Sequence, residues 1–324
     1  MITLQNIHKT FRVAKRQAGI GNAVKALFSR EQETVRALSD VTFTVGDGEM
    51  VGYIGPNGAG KSTTIKIMCG ILTPDSGACT INGRTPWKER TAHVREIGVV
   101  FGQRSQLWWD VPIIDSFELI RDIYRVDPAL YKNQLRELTG LLNLEELLKT
   151  PARSLSLGQR MRCEITASLL HGPKILFLDE PTIGLDAVSK IAIRQFIQKL
   201  NAERGVTVIL TTHDMQDIEA LAERILLIGR GRILLDGTLD ELRKHSSKQK
   251  NLVVEYNGSA PGLCGGMELA EAREGRLVIR LDPAVLPVSD AIASLAAQAD
   301  ITDVSVSGAT AEEMVAALYR EYRI

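Results

Sequence analysis

The chain has 324 residues, 44% of them hydrophobic and 24% charged, which is enough for one large domain and a smaller one. Its 39 basic and 39 acidic residues leave no net charge, so no overall field draws it to nucleic acid or to an anionic membrane. Its four cysteines form no CxxC pair, and no stretch reaches the roughly 20 apolar residues that a membrane-spanning helix needs. We therefore expect a cytosolic protein with reduced thiols, for which any membrane spanning would fall to another chain.

Apolar segments of strand length alternate with helical segments along the first 240 residues. A block of helical periodicity, from about residue 105 to 170, separates two strand-rich parts. Because the later strands are apolar on both faces, we expect a mostly parallel α/β core, with a strand-rich layer from the N-terminal segments. The predicted strands, ending with a hairpin, are 2–7, 41–45, 50–54, 78–82, 98–101, 174–178, 206–210 and 224–236.

An insertion at about residues 14–35 interrupts the N-terminal strands. The apolar residues that would share one face of a helix there are Ile20, Val24, Leu27 and Phe28. Two interpretations stay open: an amphipathic helix on the surface, or a loop whose helix packs against its own domain.

A second domain is predicted after residue 240, where the composition changes. The polar segment HSSKQKN is interpreted as a linker, so the two domains are expected to cover 1–240 and 249–324. Beyond the linker, strands and helices alternate, which predicts a small α+β domain with a ferredoxin-like order of elements. Thr310 and Glu313 fit a capping box at the start of its last helix.

The segment GPNGAGKST follows an apolar strand and precedes a helix, as the phosphate-loop pattern GxxxxGK[ST] requires. Its glycines allow backbone N–H groups to curl around phosphate oxygens, and the helix that begins near Ser62 adds its N-terminal dipole. Lys61 would contact the β- and γ-phosphates, and the Ser62 hydroxyl would bind Mg²⁺. The candidate nucleotide-binding residues are Gly55, Pro56, Asn57, Gly58, Ala59, Gly60, Lys61, Ser62 and Thr63.

Two carboxylates end the apolar strand KILFLDE. Asp179 is placed to assist Mg²⁺ binding, and Glu180 is placed to polarise the water that attacks a phosphate. An apolar run that ends in two acids is weak by itself. With a phosphate loop upstream, it indicates nucleotide hydrolysis.

Four more segments give the chain a resemblance to the ATP-binding cassette (ABC) ATPases. SLSLGQR at 154–160 and PTIGLD at 181–186 resemble the family's signature and D-loop, on either side of the carboxylate strand. TTHD at 211–214 resembles its switch histidine, and Gln103 after VVFG resembles its glutamine loop. The motifs stand in family order, and the signature and switch histidine disfavour a phosphate-loop kinase or GTPase.

The resemblance implies a P-loop NTPase core with an antiparallel β subdomain and a helical signature subdomain. It also implies a head-to-tail dimer, in which each ATP with its Mg²⁺ lies between the phosphate loop of one copy and the signature of the other. Leu157 departs from the family's LSGGQ, since it replaces the first glycine, but we expect the site to function. The residues that the resemblance assigns are Ser156, Leu157, Gly158 and Gln159 as the signature, Glu180 and His213 as catalytic, Asp186 as the D-loop, and Ser62, Gln103 and Asp179 as Mg²⁺ partners.

Three aromatic residues have two interpretations each. Phe11 would stack on adenine or belong to the core. Trp108 and Trp109 follow the glutamine loop, where the family receives a helix of the membrane subunit, so they would face a partner or be buried. Because adjacent side chains cannot share one face of a strand or helix, at least one tryptophan is expected at the surface.

The resemblance predicts the ATPase subunit of an ABC transporter of the bacterial exporter type. It would form a homodimer or heterodimer of nucleotide-binding domains and pair with separately encoded integral membrane permease subunits, with no direct membrane span. Its expected place is the cytoplasmic face of the inner (plasma) membrane, with no nucleic acid partner. The alternative is a soluble ABC ATPase that acts in translation or on DNA. The single phosphate loop disfavours the translation class, and the lack of long heptad repeats disfavours the DNA-associated class. The substrate stays unassigned, because in this family the membrane chain recognises it.

Overall fold

The structure, a computed structural model, describes residues 1–14, 32–102, 104–212, 214–241, 250–308 and 319. The chain divides into two compact units, Met1–Asp236 and Gly237–Ile324. Among the described residues, no helix has both the length and the apolar character needed to cross a bilayer.

Strands and helices alternate along the described residues up to 241. The strands are β1 (Ile2–Ala14), β2 (Gln32–Val45), β3 (Met50–Ile54), β4 (Ser76–Ile81), β5 (Ile97–Phe101), β6 (Ile175–Asp179), β7 (Thr207–Thr211), β8 (Arg224–Gly229) and β9 (Arg232–Thr238). The helices are α1 (Lys61–Met68), α2 (Arg90–Val94), α3 (Ile113–Tyr124), α4 (Pro128–Leu142), α5 (Leu157–Leu169), α6 (Ala187–Arg204) and α7 (Met215–Leu221), with 3₁₀ turns at Glu145–Leu147 and Ala152–Ser154.

A six-stranded sheet in the order β5-β6-β7-β3-β8-β9 forms the centre of the first unit. The strands from β5 to β8 in this order pair in parallel, and β3 and β7 are buried along their whole length. A turn of Arg230 and Gly231, both with positive φ, leads from β8 into β9 as a type I′ hairpin. The predicted parallel core is confirmed, and the carboxyl ends of its strands meet at one edge, where such sheets bind ligands.

A three-stranded antiparallel sheet, in the order β2-β1-β4, is the second layer of this unit. Its apolar residues alternate with polar ones, so that one face is buried. Ile2, Leu4 and Ile7 of β1 are fully buried in one apolar cluster with Val51 and Tyr53 of β3. The core of the unit therefore lies between the two sheets, and the predicted strand-rich layer is present.

The hairpin of β1 and β2 is longer than the sequence predicts. Its ladder continues as far as Ala14, whose Cα partner is Gln32. The boundaries of the insertion predicted at 14–35 therefore differ from the structure, because its first residue and its last four are strand residues whose backbone groups pair in the ladder. Residues 15–31, which carry the predicted apolar helix face, lie outside the described residues.

Helices α3, α4 and α5 make up the helical block that periodicity predicts for residues 105–170. Asp127 begins α4, because its carboxylate accepts hydrogen bonds from Ala129 N at 2.9 Å and Leu130 N at 3.1 Å. Pro128, in the first helical turn, lacks an N–H that would otherwise need a partner. The block ends with α5, whose first residues belong to the signature segment.

Residues 250–308 of the second unit form an antiparallel sheet with one helix. Leu252, Val254 and Ile279 of the sheet pack with Ala291 and Leu295 of the helix in a separate apolar core. The predicted α+β class is confirmed. The elements are β10 (Lys250–Asn257), β11 (Met267–Arg273), β12 (Arg276–Leu281), α8 (Val288–Ala296) and β13 (Asp300–Gly308), with the sheet order β11-β12-β10-β13.

The order of these elements differs from the predicted ferredoxin-like order. That order has a helix after its first strand, whereas here an irregular segment from 258 to 266 leads into β11. The sequence does not predict β11, because all its residues after Met267 are exposed and no apolar alternation marks them. Thr310 and Glu313 lie outside the described residues, so the predicted capping box stays a prediction.

Candidate functional site

A cavity of about 830 Å³ lies where β3 and β6 end. It brings together the phosphate loop, the acidic end of β6 and the segment after β5. Every residue of the segment 55–63 lines it except Ala59, which is buried in the apolar core. The other lining residues are Val35, Ala37, Lys66, Ile71, Phe101, Gly102, Arg104, Asp179, Glu180 and Ile183.

The ammonium group of Lys61 is buried within the loop, with 7% of the residue exposed. Its Nζ donates to Gly55 O at 2.6 Å and to Pro56 O at 3.2 Å. Burial lowers the pKa of Lys61, and the negative charges of Glu180 and Asp179 oppose that shift. This cation and the N-terminal dipole of α1 together favour an anion in the cavity, as nucleotide phosphates would supply.

Ser62 and Asp179, from different elements, meet in the cavity. Ser62 Oγ donates to Asp179 Oδ1 at 3.5 Å, and Thr211 Oγ1 donates to the same carboxylate oxygen at 2.5 Å. Mg²⁺ prefers hydroxyl and carboxylate oxygens beside substrate phosphates, so this set of donors fits that ion. Gln103, the third predicted Mg²⁺ partner, lies outside the described residues.

Glu180 adopts a backbone conformation that residues with side chains rarely take. Its φ is 58°, in the left-handed region, and its side chain lines the cavity. The end of β7 holds this conformation, since Glu180 N donates to Thr211 O at 2.9 Å and to Thr211 Oγ1 at 3.2 Å. Thr211 thus positions both acidic residues. The sequence analysis assigned it no role, although it begins the segment TTHD, because that motif marks only the histidine.

A buried carboxylate, that of Asp217 in α7, connects three segments around the site. Asp217 is fully buried and accepts hydrogen bonds from Thr182 Oγ1, from Thr212 Oγ1 at 3.1 Å and from Arg194 Nε at 2.6 Å. Thr182 closely follows Glu180, and Arg194 belongs to α6. Asp217 therefore ties the segment after Glu180 to α6, and the sequence analysis missed it because an acid in a short helix resembles a surface residue.

His213 lies outside the described residues, but both of its neighbours are held in place. Asp214 N donates to Thr212 Oγ1 at 3.0 Å, and Lys190 Nζ donates to Asp214 Oδ2 at 2.5 Å. The chain on each side of position 213 is therefore anchored to α6 and to the Asp217 contacts.

The signature segment forms the start of α5. Ser156 and Gln159 make a capping box: Gln159 N donates to Ser156 Oγ at 3.2 Å, and Ser156 N donates to Gln159 Oε1 at 2.9 Å. Leu157 is 37% exposed, in the first turn. The helix therefore begins with its N-terminal dipole and the Ser156 side chain at one exposed end.

The D-loop residue Asp186 begins α6 beside the signature. Its carboxylate accepts from Ser189 N at 2.9 Å and from Ser189 Oγ at 2.8 Å, and these two bonds lower the pKa of Asp186. The described residues that line the cavity include none of Ser156 to Gln159. Within one chain, the signature and the phosphate loop therefore do not share a cavity.

Phe11 lies beside the cavity rather than in it. It is half-buried in β1, and its Cα partner across the ladder is Val35, which lines the cavity. Lys9 Nζ lies 5.7 Å from the centre of the Phe11 ring. Phe11 is therefore not a fully buried core residue, and adenine stacking stays a prediction.

Trp108 and Trp109 are both exposed, at 47% and 52%. Trp108 N donates to Ser116 Oγ at 3.1 Å, and the Arg160 guanidinium lies 5.6 Å from the centre of the Trp109 ring. Burial is thus the wrong interpretation for both side chains. An exposed pair of tryptophans next to the signature helix is typical of a surface that binds a partner.

Comparison with known proteins places these observations in a family. A family model described as ABC transporter matches residues 38–183, which include the phosphate loop, the signature and Glu180. The ABC transporter ATP-binding protein NatA of Bacillus subtilis is 30% identical over 215 residues, which are 66% of this chain and 87% of that protein. The methionine import ATP-binding protein MetN of Latilactobacillus sakei is 33% identical over 66% of this chain and 63% of its own length. The chain thus spans less than two-thirds of several such relatives.

A solved structure supports the same comparison. The dimeric ATP-binding cassette MJ0796, in a post-hydrolysis state bound to ADP and Pi, matches this chain with a TM-score of 0.61 and 28% sequence identity. The match covers 74% of this chain and 99% of the cassette. The predicted P-loop NTPase architecture is confirmed by this likeness.

Proposed function

The chain belongs to the ABC transporter family as an ATP-binding, ATP-hydrolysing subunit, and we propose that it drives export through separately encoded membrane permeases. In the proposed assembly, two nucleotide-binding units pair head to tail around two ATP molecules, as a homodimer or a heterodimer. Its place would be the cytoplasmic face of the inner membrane, where it would be held by the permeases.

The proposed dimer rests on one observation: within one chain, the phosphate loop and the signature segment do not line the same cavity. The phosphate loop and the acids of β6 share a cavity, and the signature residues, all described, do not line it. The N-terminal dipole at the exposed start of α5 favours an anion beside Ser156. A second copy in the opposite orientation would supply that anion as the γ-phosphate of its own ATP.

The proposed mechanism assigns the steps of hydrolysis to described side chains. Lys61 would leave the carbonyls of Gly55 and Pro56 to bind the β- and γ-phosphate oxygens. Glu180 would accept a proton from water as its oxygen attacks the γ-phosphorus, and ADP would leave. The donors from Ser156 to Gln159 of the second copy would stabilise the charge on the γ-phosphate.

Four further assignments come with this mechanism. Mg²⁺, held by Ser62 and Asp179, would supply charge neutralisation at the phosphates. His213 would hold the γ-phosphate and Gln103 would approach Mg²⁺, as the family resemblance implies. Phe11 would stack on adenine from its place beside Val35. Asp186 would bridge the two copies.

The direction of transport rests on residues 101–126, the signature segment LSLGQRMRCE and the insertion at about 14–35, which together resemble exporter-type ATPases. The relatives include NatA and also a protein named for methionine import, so direction is part of the proposal. Trp108 and Trp109 support a permease partner, because an exposed aromatic pair on the helical block suits the docking of another chain.

The experiment that tests the function is Glu180→Gln, with Glu203→Gln at an exposed position of α6 as the matched control. Glu180→Gln should bind ATP as the parent does, lose turnover and accumulate an ATP-dependent dimer in size-exclusion chromatography. Glu203→Gln should hydrolyse ATP normally. Parental turnover by Glu180→Gln would remove Glu180 from the mechanism, and ATPase activity strictly proportional to monomer, without a dimer at any ATP level, would rule out the head-to-tail site.

A further inference from the structure

A buried carboxylate in α5 holds the segment that follows β5. Glu164 is 5% exposed, and its carboxylate accepts hydrogen bonds from Ser105 Oγ and, at 3.1 Å, from Gln106 N. Gln106 Nε2 also donates to the Glu164 carbonyl oxygen at 2.9 Å. Three hydrogen bonds thus join two consecutive loop residues to one position in the middle of a helix.

The other end of the same segment touches the acids of the site. Gly102 N donates to Asp179 O at 2.7 Å. A β carbon at Gly102 would stand only 2.6 Å from Glu180 O, so the segment passes directly against the backbone of both acids. Gly102 and Arg104 also line the nucleotide cavity. The segment therefore reaches from the cavity to α5.

The helix connects Glu164 to the signature. Ser156 and Glu164 are eight positions apart in the chain, or about 12 Å along a helix that rises 1.5 Å per residue. Because continuous backbone hydrogen bonds stiffen a helix, we expect a displacement imposed at Glu164 to displace Ser156 as well. At one end, the segment after β5 contacts the acids of the cavity through Gly102. At the other end, Ser105 and Gln106 bind Glu164 in the signature helix.

We propose that Glu164 is a positioning residue that couples the nucleotide state of one cavity to the orientation of the signature presented to the partner's ATP. The inference rests on the proposed head-to-tail dimer. The proposal implies a coupling free energy between the two ATP sites of the dimer, and such a coupling appears as cooperativity in ATP hydrolysis. A carboxylate suits this role, because its two oxygens accept from the Ser105 hydroxyl and the Gln106 amide at once.

The burial of Glu164 shows that these contacts are specific. Burial raises the pKa of Glu164, and the hydrogen bonds from Ser105 and Gln106 oppose the rise. A carboxylate kept out of water has to rely on such donors, so it holds the loop more firmly than an exposed one would.

The test compares Glu164→Gln with Ser168→Ala. Glutamine keeps the size but has one acceptor oxygen in place of two and no charge, so it cannot hold the Ser105 hydroxyl and the Gln106 amide as the carboxylate does. Ser168 is a buried polar residue of the same helix, and its hydroxyl donates at 2.7 Å to Ile165 O within α5, so its loss spares the loop. The parent should show a Hill coefficient above one for ATP hydrolysis.

We expect Glu164→Gln to lower kcat about tenfold and bring the Hill coefficient to one, while the Kd of the monomer for ATP changes less than about twofold. Ser105→Ala should reproduce part of this loss, and Ser168→Ala should keep parental kinetics. An unchanged kcat and Hill coefficient in Glu164→Gln, a Hill coefficient of one in the parent, or an equal loss in Ser168→Ala would each overturn the coupling.

Dimer formation separates this inference from the proposed function. If Glu180→Gln forms no ATP-dependent dimer, the proposed function fails and the coupling fails with it. If that dimer forms and Glu164→Gln still keeps parental kinetics, only the coupling is wrong.

Discussion

Gly158 approaches Ser189 so closely that a β carbon at Gly158 would stand 2.3 Å from Ser189 Oγ. Ser189 in turn donates twice to Asp186, which begins α6. The start of the signature helix and the start of the D-loop helix therefore form one surface. Any side chain at Gly158 would push these two helix starts apart, since real side chains do not approach so closely.

Gly158→Ala should lower the ATPase rate about tenfold while leaving ATP binding by the monomer unchanged, because an overpacked contact typically costs 1–3 kcal/mol. Gly140→Ala in α4 is the control, since a β carbon there would meet only Glu145 Oε1 at 3.6 Å. Removing the obstructing side chain, as Gly158→Ala with Ser189→Gly, should restore part of the rate. Steady-state ATPase assays measure all three, and a parental rate in Gly158→Ala would show that the contact relaxes without consequence.

Asp217→Ala should destabilise the first unit. It removes the buried carboxylate that pairs with the Arg194 guanidinium, which is 14% exposed and keeps only Asp214 at 3.6 Å, so we expect a cost of roughly 3 kcal/mol in the free energy of unfolding. Asp217→Ala with Arg194→Met should recover most of that loss, because no charge then stays buried. Asp122→Ala, which breaks an exposed pair with Arg121, should lower the free energy of unfolding far less. Urea unfolding would measure these values, and equal costs at the two aspartates would contradict the burial argument.

His171 should make the stability depend on pH in mildly acidic solution. Burial lowers the pKa of His171 to about 4, its Nε2 donates to Ile97 O at 3.0 Å, and its ring stacks on Tyr124. An unfolded histidine titrates near pH 6.5, so between about pH 6.5 and 4 the unfolded chain binds more protons than the folded one. The free energy of unfolding should therefore fall as the pH falls through this window.

His171→Gln should reduce the slope of the unfolding free energy against pH, by an amount that corresponds to at most about one bound proton. Part of the slope should persist, because burial also lowers the pKa of His93. Urea midpoints collected at several pH values from 4 to 7 would test this. Identical slopes in the parent and the variant would mean that His171 charges freely in the folded state.

Trp109→Ala and Trp108→Ala should weaken the complex with the permease and leave the isolated subunit intact. Both side chains are exposed, so their removal costs the folded chain little, whereas large aromatic side chains carry much of the energy of an interface. Val285→Ala, at another exposed apolar residue, is the control. Co-purification of the tagged subunit with its permease is the measurement, and unchanged assembly and transport in both variants would refute a docking role.

Much of this fold can be predicted from the sequence, because its motifs depend on residues that are neighbours in the chain. A phosphate loop needs a strand before it and a helix after it within a few residues, and residues 50–68 show that arrangement. The acids of β6 follow from a similar pattern. The edge of a parallel sheet then brings these segments together without further information.

What the sequence does not predict depends on contacts between distant segments. Thr211, Asp217 and Glu164 position the site through hydrogen bonds to residues 32, 35 and 59 places away in the chain. Thr211 begins the segment TTHD and Glu164 follows the signature, but neither motif gives them a role, because a threonine or an acid has the same local pattern at the surface. The sequence does not predict β11 for a different reason: its residues after Met267 are all exposed, so no buried apolar face marks the strand.

The long β1–β2 ladder makes this protein suited to carrying a reporter. Ala14 and Gln32 are paired across the ladder, so the chain between them can be exchanged for a fluorescent graft whose two ends already lie side by side. Val35, three positions after Gln32 along β2, lines the nucleotide cavity. A dye at this hairpin would stand close to bound nucleotide and would let occupancy be followed by light in the intact assembly.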